Sequence, residues 1–139
     1  MSTDTLLSRL ENVRQTGAGR WIARCPAHDD RRPSLAIREL EDGRLLLHDF
    51  SGCTVNEIVS AVGLTLSDLF PERPLDHHQS KERRPFNAAD VLECVAFEAL
   101  IASVAAGNMA EGWPLSDVDR QRLLIASQRL QRAVEAIRA

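Results

Sequence analysis

Apolar residues recur at helical spacing over Thr3 to Gln15, where Leu6, Leu7, Leu10 and Val13 share one face and charged residues take the other. Ser2, Thr3 or Asp4 supplies a cap, and Gly17-Ala18-Gly19 supplies a stop. The period then shortens. Arg20 to Arg24, carrying Trp21 and Ile22, reads as a short strand, and Ser34 to Leu40 alternates through Leu35 and Ile37 as a half-buried strand does. Glu41-Asp42-Gly43 predicts a hairpin turn, because Asp-Gly readily takes the positive φ values such a turn needs, and Arg44 to Phe50 is the return strand. Thr54, with Glu57 three residues later, forms a capping box for a helix over Val55 to Val62 that ends at Gly63. Ser67 caps one further turn through Phe70. Pro71 to Pro85, rich in proline and charge, reads as a linker. Ala88 to Ala106 is a helix apolar nearly all round, so it must be buried or paired. Gly107 to Pro114 is a loop, with Trp113 packing beneath it. Ser116 to Arg138 is a second long helix with an apolar stripe of Leu123, Leu130, Val134 and Ile137.

Composition narrows what this pattern can build. The chain has 139 residues, 44% apolar and 27% charged, within the range of soluble globular proteins. Aromatics are only 4% and tyrosine is absent, so the core is aliphatic, and a small aliphatic core gains from a metal staple. Net charge is −3, which excludes a protein living on bulk affinity for nucleic acid and leaves room only for a local basic patch. Lys81 is the only lysine; the remaining cations are arginines, whose planar forks suit phosphates. An odd cysteine count fits poorly with a secreted disulfide framework, and the start of the chain has no apolar signal core. The tract Cys94 to Ala106 is broken by Glu98 and shorter than the roughly 20 residues of a membrane span. A reduced, cytoplasmic setting is expected, one that keeps thiolates available for metal.

The chemistry gathers in two clusters, Cys25-Pro26-Ala27-His28 and His48-Asp49-Phe50-Ser51-Gly52-Cys53, on either side of the predicted hairpin. Thiolate and imidazole donors two or three residues apart can grip one ion from a tight turn, and two such turns complete a tetrahedron. Cys25, His28 and Cys53 give three ligands. The fourth is Asp49 or His48, which are strand neighbours and so point to opposite faces. Charge mildly favours Asp49: with Zn²⁺, two thiolates, one carboxylate and one imidazole leave the same single negative charge as three thiolates and one imidazole. A site filled by four protein donors is structural, not catalytic. Cys94, inside the apolar helix, reads as core filling, and His77 with His78 in the linker offers only a weak second cluster.

The stretch Arg24-Cys-Pro-Ala-His-Asp-Asp-Arg-Arg-Pro-Ser-Leu-Ala-Ile37, followed by Asp42-Gly-Arg-Leu-Leu-Leu-His-Asp-Phe-Ser-Gly-Cys53, resembles the Cys-His-Cys-Cys zinc-finger domain of DnaG-type bacterial and phage DNA primases. The segment Val55 to Phe70 is similar to the helix that follows that finger in phage and plasmid versions, and the resemblance spans roughly residues 18 to 73. It implies a zinc ion held by Cys25, His28, Asp49 and Cys53, with Asp49 where the family has a cysteine. It also implies contact with single-stranded template, which points to Trp21, Arg24, Arg31, Arg32 and Arg44 around the finger. For these, quieter readings stand beside the functional one: Trp21 as a core residue, and Arg31 and Arg32 as partners of Asp29 and Asp30 in a solvated loop. Primases continue into a catalytic fold with magnesium-binding acidic residues, and nothing after Pro85 has that character.

The expectation is an α+β chain: a small zinc-ribbon-like antiparallel sheet flanked by helices over residues 1–73, a linker over 74–87, and a C-terminal α-helical hairpin over 88–139. The expected function is that of a DNA-binding, primase-like zinc finger without enzyme activity, serving DNA replication in a phage, plasmid or other mobile genetic element. Its expected cofactor is structural Zn²⁺ and its expected partner single-stranded DNA. The alternative is a protein-binding effector or inhibitor that keeps the finger as scaffold and binds its partner through the C-terminal helices.

Overall fold

The computed structural model describes residues 3–29, 31–70 and 85–138. A short helix α1 (Thr3–Ser8) leads into four strands, β1 (Arg14–Gly17), β2 (Arg20–Ala23), β3 (Leu35–Glu39) and β4 (Leu45–Asp49). Helix α2 (Val55–Ala61) and a 3₁₀ turn (Leu66–Leu69) follow, then the long helices α3 (Ala88–Ala110) and α4 (Asp117–Arg138). The strands form one antiparallel sheet in chain order, with the expected helical hairpin after it, so the α+β architecture holds.

The start of the chain differs from its pattern. The helix stops at Ser8, and Arg14–Gly17 forms an edge strand that pairs Arg14 with Ile22 and Gln15 with Trp21. Asn12 takes a left-handed conformation (φ 52°) between the two, and Gly19 (φ 67°) turns the β1–β2 hairpin where a helix stop was expected. Leu6 and Leu10 are buried as the helical reading required, but Arg-Gln-Thr-Gly carries no strand pattern, and only pairing with β2 makes it a strand.

Both faces of the sheet are covered. Cross-strand partners share a face, so Trp21, Ile37 and Leu47 lie on one side with Ala23, Leu35 and Asp49, while Ile22, Ala36 and His48 lie on the other. The first face packs with Leu6 and Leu10 and with Ile58 and Val59 of α2. The second packs Ile22, Ala36 and Phe50 against Phe86, Val91, Cys94, Val95 and Ala133 of the hairpin. Leu35, Ala36 and Ile37 are therefore consecutive and all buried, not alternating, which corrects the half-buried reading of this strand. Polar links also tie the layers: Thr16 donates its hydroxyl to the buried Asp90 carboxylate at 2.8 Å, Arg14 pairs with Glu93, and Arg38 donates to the Pro85 carbonyl at 3.1 Å.

The capping box at Thr54 and Glu57 forms as expected. The next turn is capped not by Ser67 but at Thr65, whose N–H donates to Asp68 at 2.8 Å. Helix α3 runs through Gly107 to Ala110, longer than expected, since nothing approaches Gly107 to break it and the left-handed Gly112 (φ 88°) follows its end. Trp113 is 65% exposed instead of packed beneath the loop. On α4 the buried residues are Ala126 and Ala133; Leu130 and Ile137 of the expected stripe pack against the second core, while Val134 is exposed. Cys94 is core filling, as expected. The expected linker lies mostly outside the described residues, as do His77 and His78.

Ile22 tests the second core. Ile22→Val should lower stability by about 1 kcal/mol and Ile22→Ala by about 2–5 kcal/mol in urea unfolding. Equal stability of all three proteins would show that the hairpin is not packed on this face.

Candidate metal centre

Three segments converge at one end of the sheet. Cys25 and His28 lie in the loop that leaves β2, Asp49 is the last residue of β4, and Cys53 follows a turn through Gly52, whose φ of 106° suits only glycine. Thr54 then caps α2, so the second cysteine is fixed between a strand end and a helix start. The ligand atoms of Cys25, His28, Asp49 and Cys53 all lie within 4.8 Å of one another, and these four residues can hold a metal ion.

The distances fit an ion. Nδ1 of His28 is 3.1 Å from Sγ of Cys53 and 3.7 Å from Oδ2 of Asp49. Tetrahedral coordination at usual bond lengths puts donor atoms roughly 3.3–3.8 Å apart. Asp49 has no exposed side-chain surface. Its Oδ1 accepts from the Ser34 hydroxyl at 2.6 Å and the Ser51 N–H at 3.2 Å, and its Oδ2 accepts from the Cys53 N–H at 3.0 Å. Oδ1 is thus committed to the fold, while Oδ2 faces the histidine and can ligate through a remaining lone pair. Ser34, which sequence reasoning missed as a site residue, orients the carboxylate as an outer-shell partner does.

Burial pushes the thiols of Cys25 and Cys53 up, Cys25 far beyond the usual range and Cys53 less, with the neighbouring Asp49 charge adding to both. Without metal, both sulfurs are therefore protonated at neutral pH. His48 is not in the cluster. Its ring lies 4.3 Å from that of Phe50 and 5.9 Å from that of Phe86, on the hairpin side of the sheet, and burial lowers its pKa. Strand alternation, which left Asp49 and His48 as alternatives, resolves in favour of Asp49.

The expected nucleic-acid residues are scattered. Trp21 is partly buried against the first core. The Arg24 guanidinium lies 3.7 Å from Glu11, in a cleft of about 570 Å³ shared with Cys25 and His28. Arg44 is held by Asp42 at 2.7 Å in the β3–β4 turn, at the opposite end of that hairpin from Asp49. Arg31 and Arg32 are exposed and share a second cleft with His28, whose far wall carries Arg122 and Arg129 of α4. Those two arginines went unrecognised in the sequence; their seven-residue spacing on one helix face, opposite the lone mid-helix Glu98, was the available signal.

Purified protein should carry one metal ion per chain by elemental analysis. Asp49→Ala should abolish it, His48→Ala should keep it, and Ser34→Ala should weaken it about tenfold. Retention by Asp49→Ala, or loss in His48→Ala, would reverse the ligand assignment. Because raised thiol pKa values mean protonated sulfurs, metal loading should release about two protons, and apparent affinity should rise about a hundredfold per pH unit near neutrality. Calorimetry in buffers of different ionisation enthalpy measures that release, and proton-neutral binding would contradict thiolate ligation.

Among the described residues, no helix is long and apolar enough to cross a membrane. No protein-family model matches the chain, and no curated protein or solved structure matches it either.

Proposed function

We propose that the chain is a primase-like zinc-finger protein that binds single-stranded DNA, acting as an accessory or truncated replication protein of a phage, plasmid or integrated element. The observation that carries this reading is the cluster of Cys25, His28, Asp49 and Cys53 with Arg31 and Arg32 exposed on the loop that leaves His28. Two sulfurs, one nitrogen and one carboxylate oxygen in a compact group suit Zn²⁺. With four protein donors the ion staples loop to strand and leaves no position for substrate, so the proposed role is binding and not catalysis. The net charge of −3 agrees with a local contact: guanidinium groups beside the staple neutralise phosphates while the rest of the surface does not. The resemblance to primase fingers points to a single strand as the ligand.

A second reading draws on the hairpin. Leu92, Leu100, Val104, Trp113, Val118 and Leu124 are each more than half exposed, apolar side chains of a kind that can meet a protein partner. They support an effector that keeps the finger as scaffold and binds a protein through α3 and α4.

Fluorescence anisotropy with a labelled oligothymidylate at low salt separates the two. Wild type should bind, and Arg31→Ala with Arg32→Ala should weaken binding about tenfold. The same change should flatten the salt dependence by about 0.7 in log–log slope for each phosphate that is no longer neutralised. Absence of any binding at low salt would end the single-strand reading and leave the effector.

A further inference from the structure

Beside the metal cluster, the loop after β2 and the facing residues of α3 and α4 line a cleft of about 480 Å³. Its described lining includes four arginines, Arg31 and Arg32 from the loop and Arg122 and Arg129 from α4, against two carboxylates, Asp29 and Glu98. Glu98 is 5% exposed and serves both helix arginines. Its Oε1 accepts from Arg129 at 2.6 Å and from Arg122 at 2.9 Å, and Arg122 lies 2.8 Å from Oε2. One carboxylate cannot saturate two guanidinium forks of five N–H donors each. Nη1 of Arg122 is buried without a hydrogen-bond partner, and Glu98 Oε2 meets Arg122 as an ion pair without a hydrogen bond, so the pairing between helix and counter-ion is incomplete on both sides. Arg32 rests over the Phe97 ring, 4.1 Å from its centre, which brings the finger loop onto α3 and places its charge at the same cleft.

We infer that this cleft is a phosphate-binding site assembled by the finger loop and α4 together, with Glu98 as the internal counter-ion that holds Arg122 and Arg129 in place. Excess positive charge, paired planar forks and a space large enough for a nucleotide are what a phosphate requires. The phosphate arrives on a nucleic-acid strand or on a free nucleotide. The inference deepens the nucleic-acid reading above and rests on it for the strand, but Arg122 and Arg129 are its own.

The test measures labelled oligothymidylate by anisotropy and ATP by calorimetry on wild type, Arg122→Gln/Arg129→Gln, Glu98→Gln and, as an exposed α4 control outside the cleft, Arg120→Gln. Helix content by circular dichroism confirms folding. The double variant should bind at least about tenfold more weakly, and Arg120→Gln should match wild type. Glu98→Gln, which releases the arginines from their counter-charge, should bind several-fold more tightly, a gain that misfolding cannot mimic. Strand binding that needs Arg31 and Arg32 but ignores both Glu98→Gln and the double variant would overturn this inference and leave the function reading intact. ATP binding that follows the predicted pattern without any strand binding would uphold the cleft and overturn the strand. No binding of either ligand to wild type would overturn both.

Discussion

The Asp49 carboxylate, without exposed side-chain surface, is the constraint on which the rest of the molecule turns. A buried carboxylate must be met by donors or by opposite charge, because its hydration is lost. Its donors come from Ser34, ahead of β3, and from Ser51 and Cys53 in the turn after β4. Meeting that charge therefore fixes the β3–β4 end and the Gly52 turn in one step. The turn sets Cys53, and Thr54 behind it starts α2. A metal ion held there would supply the opposite charge at the same carboxylate, so the group that organises the turn is also one that can ligate.

The chain has few aromatic residues with which to build a core on its four-stranded sheet. The sheet is covered twice. Helices α1 and α2 close the face that carries Asp49, and α3 with α4 closes the face that carries His48. The second covering buries Ala126 and Ala133 and holds a charge inside the pair, Glu98 with two arginines. Breaking such a pair costs more than making it gains, so it specifies register more than it adds stability. The arginines drawn in to satisfy Glu98 are the same ones that reach the cleft beside the finger.

The sequence was most legible where local chemistry decides structure. The Asp42-Gly43 turn, the Thr54–Glu57 capping box and the donors Cys25, His28 and Cys53 follow from short-range rules and stand where they were expected, whereas the choice of Asp49 over His48 needed the strand's orientation in the sheet. It was least legible where distant partners decide. Arg14–Gly17 becomes a strand only because β2 lies beside it, and Ile22 and Ala36 are buried only because a helix pair some seventy residues on covers them. The stripe on α4 holds in part: Leu130 and Ile137 pack on the second core, but the buried positions are Ala126 and Ala133, and Val134 is exposed. The arginine cleft was invisible for a related reason: Arg31, Arg32, Arg122 and Arg129 belong to separate segments, and only the docked hairpin brings them together.

Resemblance to primase fingers leads one to expect a thiolate at position 49, and an aspartate there invites the idea of a decayed site. The surroundings argue against decay. A site released from selection would lose burial, donors or charge balance around the altered residue. Asp49 keeps all of these: it is buried, three donors meet its two oxygens, and it carries the single negative charge a cysteinate would carry. A thiolate is a poor acceptor beside a carboxylate, so the Ser34, Ser51 and Cys53 contacts suit the aspartate better than the residue it stands for. A metal ion bound there would meet a carboxylate and a turn already fixed by the protein's own hydrogen bonds.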